Sequence, residues 1–447
     1  MREQLKAVMK AKTIGEALKL LPWSFVEAFA IIPILMFIFS VVVETFMYTS
    51  IYYPYVMLME DMWISFYILG VVSIFLYASK CVVEKIRFRD IIKQNMPMIF
   101  FTGMSILMLI STMINGWTEY ALIGHEMRKE SVFVYLTYFF VFFLGASLVK
   151  NEKIKKNIIY LFVAISLIFG ICVVFTLLFD TQTFTLEVKD YKFWIMAIYN
   201  NPNHYAYYLN VAVVCSGALF ALEKDIKIKV FSLITFLINT VILFLNDTMG
   251  CYIASLGGLV FLLIVMFIID KRINLPALFL ILMFVAISLG INFYNDSVAS
   301  SFSNMATDIH NIAENNDAPM DSTRVRWTLW KESVQCISER PFFGFGTDGI
   351  EDRLRDLTGE ERSHNEYLQY TAFYGIPAAL CYLAGIMAVF IHGLKNKAKL
   401  DKYAIISLAA AFAYCFSAFF GVSRTYTAPY LFIFLGLGFG ICRNREK

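Results

Sequence analysis

Apolar runs of bilayer-crossing length recur along this chain, separated by short polar segments. They predict twelve membrane helices, over 24–48, 62–79, 96–114, 131–149, 157–179, 204–222, 230–246, 249–269, 275–294, 366–391, 403–420 and 428–442. The rhythm breaks once, at the 71-residue polar insert 295–365 between the ninth and tenth runs. Within it, Asn292 to Asp321 reads as weakly structured, being rich in Asn, Asp, Ser and Ala. From Thr323 the pattern tightens into a helix with Trp327, Trp330, Val334 and Ile337 on one face. Asp321 or Ser322 is placed to cap it, and Pro341 stops it at Arg340. Gly344-Phe-Gly346 predicts a tight turn, and 349–357 a short helix that turns Ile350, Leu354 and Leu357 inward. Ser363 and Glu366 have the spacing of a capping box, which would set His364 in the first turn of the tenth run.

Composition makes the class definite. The chain is 59% hydrophobic and 16% charged, whereas soluble domains carry roughly 25% charged residues. It is an all-α polytopic membrane protein. Of its 38 Lys and Arg, 26 fall in segments that share one side if the N-terminus is cytoplasmic. Seven more lie in 295–365, a loop too long to count toward orientation, and five in the short loops of the other side. Both termini are therefore expected in the cytoplasm and the long loop outside. The Lys-rich first 22 residues lead into the first helix and are followed by no signal-cleavage site of small residues.

The net charge of +3 is accounted for by cytoplasmic loops beside an anionic leaflet, with nothing to suggest nucleic acid. Eight cysteines scattered mostly in or beside spans give no disulfide framework. The chain shows no internal repeat, which weighs against a transporter built from paired halves. Residues 1–447 read as a single membrane domain with 295–365 inserted as its extracytoplasmic loop.

Six of the seven basic residues in that loop are arginines: 324, 326, 340, 353, 355 and 362. A guanidinium gives a phosphate two parallel hydrogen bonds, which lysine cannot do. The loop also holds thirteen acidic residues, and pairing with local carboxylates on a solvated surface is the expected fate of Arg353, Arg355 and Arg362. Arg326, one helical turn before Trp330, is the best candidate for an anionic ligand, with Arg324 next. His364, at the head of a helix, is suited to accept a proton from a sugar hydroxyl, with backbone amides beside it for phosphate oxygens. Asn201-Pro202-Asn203-His204 is a second capped helix start, able to offer amides to a pyrophosphate or sugar, although Asn-Pro is also an ordinary turn. Asn246 to Gly250 joins the seventh and eighth helices tightly enough to make them antiparallel neighbours. His125, His310 and His392 are weaker candidates, and no His, Cys or acidic cluster has metal-ligand spacing.

Arg326-x-x-x-Trp330, Pro341-x-x-Gly344-x-Gly346, His364-Asn365-Glu366-Tyr-Leu368 and Tyr374-Gly-Ile-Pro377, in that order, resemble the O-antigen ligase and O-antigen polymerase family of bacterial envelope glycosyltransferases. The Asn201-Pro-Asn203 helix start and the large late loop also fit. The resemblance implies a metal-independent, inverting transfer of undecaprenyl-diphosphate-linked glycan onto a glycan or lipid acceptor, without cofactor, at the outer face of the bacterial inner membrane. It makes His364 and Arg326 the catalytic candidates, and Arg324, Trp330, Asn365, Asn201, Asn203 and Arg424 the substrate-binding ones. Where the family often carries an arginine, this chain reads Thr248-Met249-Gly250, with Arg424 in the last outer loop as the candidate replacement. A lipid-linked oligosaccharide flippase and a non-catalytic relative are the competing readings.

Overall fold

The computed structural model describes residues 2–23, parts of 25–89, 96–125, 130–147, 152–179, Tyr199, 201–314, 322–425 and 427–444. Every regular element among them is helical. In chain order these are α1 (Arg2–Met9), α2 (Ile14–Leu20), α3 (Met96–Asn115), α4 (Glu119–Leu122), α5 (Val132–Ser147) and α6 (Glu152–Phe179). There follow α7 (Pro202–Leu222), α8 (Ile226–Leu245), α9 (Met249–Asp270), α10 (Leu275–Asn295), α11 (Ser297–Ala313) and α12 (Ser322–Glu339). The last are α13 (Glu351–Thr358), α14 (Glu366–Tyr374), α15 (Ile376–Lys395), α16 (Lys402–Ser417) and α17 (Ala428–Asn444).

Among the described residues, eight helices are long and apolar enough to cross a membrane, and α5 and α17 contain shorter apolar segments, so the chain is a polytopic all-α membrane protein. The expected spans 24–48 and 62–79 fall largely outside the described residues.

Three expectations are corrected. The run 366–391 is two helices, because Gly375 takes φ 88° and ψ 165° and Pro377 opens α15 with no N–H to give to a preceding turn. The stretch 292–321 is not weakly structured as far as Ala313. After a left-handed bend at Asp296, α11 packs through Val298, Ser301, Met305, Asp308 and Ile312, a helical stripe masked in sequence by its polar members. α12 itself packs through Leu329, Ser333 and Cys336 and leaves Trp327 43% and Val334 54% exposed. Leu357, expected inward, is exposed as well, although Ile350 and Leu354 are buried. The cap expected at Asp321 lies outside the described residues.

Helix α7 is the axis of the fold, buried almost throughout and packed on α8, α9 and α16. Asn210 ties three helices, donating to Ala413 O at 2.9 Å and accepting from Ser255 Oγ at 2.9 Å. In an apolar interior those bonds satisfy the amide and set the register of α7 against α9 and α16. Gly145 and Gly436 let α5 and α17 close up, for a Cβ on Gly436 would stand 2.5 Å from Phe142 O.

At one end of the bundle, just past α7, Glu223 accepts from Lys402 Nζ and Tyr160 OH, each at 2.7 Å. Burial raises its carboxyl, but the Lys402 and Tyr160 hydrogen bonds prevail and bring it down to about 2. A depressed carboxylate adds stability above its unfolded value and loses it as pH falls toward the folded one. Thermal stability of the wild type should therefore fall between about pH 4.5 and 2 by more than that of Glu223→Gln, as differential scanning fluorimetry would show.

At the other end, the turn after α12 docks into the break between α14 and α15. Phe345 N donates to Ala372 O at 3.0 Å, Gly346 N to Phe373 O at 2.8 Å, and Ile376 N to Pro341 O at 2.8 Å. Backbone meets backbone here with no room for side chains. A Cβ on Gly344 would lie 2.5 Å from Ala372 O, and one on Gly375 would collide with Phe342 O. Gly375→Ala should cost at least the roughly 1–3 kcal/mol of a glycine-only conformation, plus the collision. Gly359→Ala has a similar positive φ but open space, and should lower the melting temperature by less.

Candidate active site

The starts of α7, α9 and α14 and the 421–427 loop converge at the end of the bundle that carries α11 to α13. Asn201 caps α7, its side-chain oxygen accepting from Asn203 N at 2.9 Å and His204 N at 3.4 Å. The cap thus occupies the amides that the sequence offered to a pyrophosphate. Asn203 instead receives the Thr248 hydroxyl at 3.4 Å, which joins the start of α7 to the start of α9. His204 points to the 421–427 loop, where Arg424 Nε donates to its Nε2 at 3.1 Å. His204 is also within electrostatic reach of His364 and Arg362.

His364 stands just outside α14. The capping box does not form, because Asn365 takes the cap and accepts from Tyr367 N and Leu368 N, each at 3.1 Å. Asparagine caps as well as serine does, and taking the cap frees both expected partners. Ser363 accepts from Ser333 Oγ at 2.8 Å, while Glu366 is buried beneath Tyr382 and Tyr414, whose hydroxyls donate at 2.6 and 3.1 Å. His364 is left in the left-handed region at φ 47°, with Nε2 3.2 Å from Glu360 Oε2. The first amides of α14 are spent on Asn365, so they are not presented to a ligand.

The arginines divide sharply. Arg353 is held by Glu332 and by both oxygens of Glu339 at 2.8 and 2.9 Å. Arg355 is held by Glu351, by Asp352 at 2.9 Å and by Glu361 at 3.0 Å. Arg340 donates to Asn115 Oδ1 at 2.7 Å and stacks on Phe345. Arg362 is 3% exposed and clamped between Glu130 and Asp348. Burial works against its charge, and the facing Asp348, Tyr135 and Glu130 more than offset this, holding the guanidinium protonated. Arg326 differs: among the described residues it forms no hydrogen bond or ion pair, and its charge is felt at Glu360, Tyr207 and Cys251. Arg324 is half-buried two residues earlier in the same helix.

Trp330 packs its ring on the core with an indole N–H that has no partner among the described residues. Two members of the site were not singled out from sequence as site residues. His204 lay inside the capped Asn-Pro-Asn-His start, and Glu360 is four residues before His364; both could be found only once a partner was specified. The fold also gathers a cluster invisible to sequence spacing: ligand atoms of His125, Glu351 and Glu361 lie within 4.8 Å of one another. The Arg355 guanidinium already bridges the two carboxylates there, so the position of a cation is filled.

The site therefore combines a partly exposed imidazole backed by a carboxylate, an arginine without an ion pair among the described residues, and a second arginine–histidine pair, all at one end of a membrane bundle. Comparison with known protein families matches residues 234–383 to the O-antigen ligase family model, a segment that runs from α8 into α15 and carries Arg326, Glu360 and His364. No curated protein is similar enough to the chain to count as a relative. Over residues 234–383, the chain is similar to the O-antigen ligase family.

Proposed function

We propose that this protein is a metal-independent, inverting glycosyltransferase that polymerises or transfers undecaprenyl-diphosphate-linked glycan at the outer face of the bacterial inner membrane. The observation that carries the reading is the gathering of charge at one end of the bundle: Glu360 holds His364 and feels the Arg326 guanidinium, while His204, bonded to Arg424, feels the charge of His364. The proposed topology has twelve spans, both termini in the cytoplasm, and 295–365 as the extracytoplasmic loop of a single membrane domain.

His364 removes the proton from an acceptor hydroxyl as its oxygen attacks the anomeric carbon, and the bond from that carbon to the diphosphate breaks. Arg326, with Arg324 and Arg424, neutralises the charge that grows on the leaving diphosphate. A single displacement inverts the anomeric centre. Arg424, held by His204, stands in for the arginine that Met249 lacks. Trp330 lines the acceptor side through its indole, while Asn201, Asn203 and Asn365 contribute by fixing the helix starts on which the histidines sit. Polymerase is favoured over ligase because it needs no lipid A acceptor.

Purified protein in proteoliposomes, given undecaprenyl-diphosphate-linked oligosaccharide, should release undecaprenyl diphosphate and lengthen or transfer the glycan. Movement of intact substrate between leaflets, with no new product, would identify a flippase and overturn the reading. Absence of both activities would identify a non-catalytic relative.

A further inference from the structure

We infer that Glu360 is the positioning residue of His364, gripping the imidazole at Nε2 so that Nδ1 faces the reacting hydroxyl. The inference rests on the proposed role of His364 as base. The two side chains meet across a chain reversal, four residues apart, with Nε2 and Oε2 3.2 Å from each other. Left-handed residues bound that reversal, Gly359 at φ 78° closing α13 and His364 at φ 47°.

The segment between them has little freedom. Glu361 is tied to Arg355, Arg362 to Glu130 and Asp348, and Ser363 to Ser333. With those anchors set, the carboxylate that meets the imidazole among the described residues is that of Glu360. Ionised carboxylate is an acceptor only, so its neighbour on the ring must carry the proton, and the other nitrogen is left with its lone pair. The hydrogen bond from His364 outweighs partial burial and holds Glu360 below the ordinary carboxylate range, with Arg326 adding to the effect. Glu360 thus stays an anion and feels the charge of both residues proposed for catalysis.

The proton balance is simple. The acceptor's proton moves to Nδ1, a carbon–oxygen bond forms at the sugar, and the diphosphate leaves with the electron pair. The resulting imidazolium faces the Glu360 carboxylate as a neutral pair and then returns its proton to water. Removing the carboxylate takes away both the choice of tautomer and that stabilisation. It leaves the substrate-binding arginines in place.

The test uses the full-length protein with undecaprenyl-diphosphate-linked oligosaccharide, as wild type, Glu360→Gln, His364→Asn and the double variant. Glutamine is close in size, but its amide can donate as well as accept and no longer dictates the tautomer. Glu360→Gln should lower kcat about 10- to 100-fold, with KM within about twofold of wild type, as for other residues that orient a functional histidine. In the His364→Asn background the same change should have no further effect, since the two residues act as a unit. An equal loss in both backgrounds would show that Glu360 acts on something else and would overturn the inference. So would a normal kcat for Glu360→Gln beside a crippled His364→Asn, although the role of His364 would then stand. Wild-type turnover by His364→Asn would remove that role and the inference together.

Discussion

Replacing His364 by asparagine should lower glycan transfer by about 10²- to 10⁴-fold, the range for a positioned general base. Asparagine is the better substitution than alanine because it tolerates the left-handed backbone found here, so a loss of rate is not a loss of the loop. Arg326→Ala should lower kcat by about 10²- to 10³-fold, the scale of one lost group that stabilises developing charge. The reason lies in the contrast with its neighbours. Removing Arg353 or Arg355 strands carboxylates on the surface of the loop, whereas Arg326 forms no ion pair among the described residues to lose. Its loss should therefore leave the melting temperature within about 1–2 °C of wild type while activity collapses, in keeping with a surface change worth no more than about 0.5 kcal/mol. The two substitutions together should cost less than the product of their separate effects, because both groups act on one displacement. Release of undecaprenyl diphosphate, followed over time, is the measurement. Undiminished turnover in both variants would remove the catalytic assignment.

What sequence disclosed and what it hid have physical causes. The spans α3, α6 to α10 and α16 were legible because a bilayer imposes a minimum apolar length that few other structures need. The break at Gly375 was not, since an apolar run reads the same whether or not a glycine bends it. Opposite charges in one loop foretold local pairs for Arg353 and Arg355, but Arg362, expected with them on the solvated surface, is buried. Arg362 found Glu130, distant in sequence and close only in the fold. The capping box had two equally good local solutions, and tertiary contacts chose between them: Tyr382 and Tyr414 draw Glu366 inward, and Ser333 draws Ser363. His204 remained inconspicuous for the same reason, because its significance comes from Arg424 across the bundle.

Arg362→Met should be the most destabilising of these changes, by about 3–5 kcal/mol, because it leaves two buried carboxylates without their counter-charge. Glu130 and Asp348 have no exposed surface on their side chains, so neither can turn to water for solvation. Arg362 Nε and Nη2 each reach an Asp348 oxygen at 3.1 Å, and Nη1 meets Glu130 and, at 3.4 Å, Ser423 O. One side chain therefore fastens its own loop, which carries His364 two residues on, to three other segments: the start of α5, the turn before α13, and the loop that carries Arg424 one residue on. Stability and geometry should be lost together. Arg362→Met protein should melt lower and lose transfer activity even at temperatures where it remains folded, since the clamp sets the distance between His364 and Arg424. Lysine will not substitute, because a single ammonium cannot span the planar fork that joins Asp348 to Glu130. Changing Glu130→Gln and Asp348→Asn along with Arg362→Met removes the stranded charges and should restore most of the melting temperature, but not the rate. Denaturation of the single and triple variants, read beside their turnover, separates the two effects. A single variant that melts with the wild type would show that the clamp is not what holds these loops.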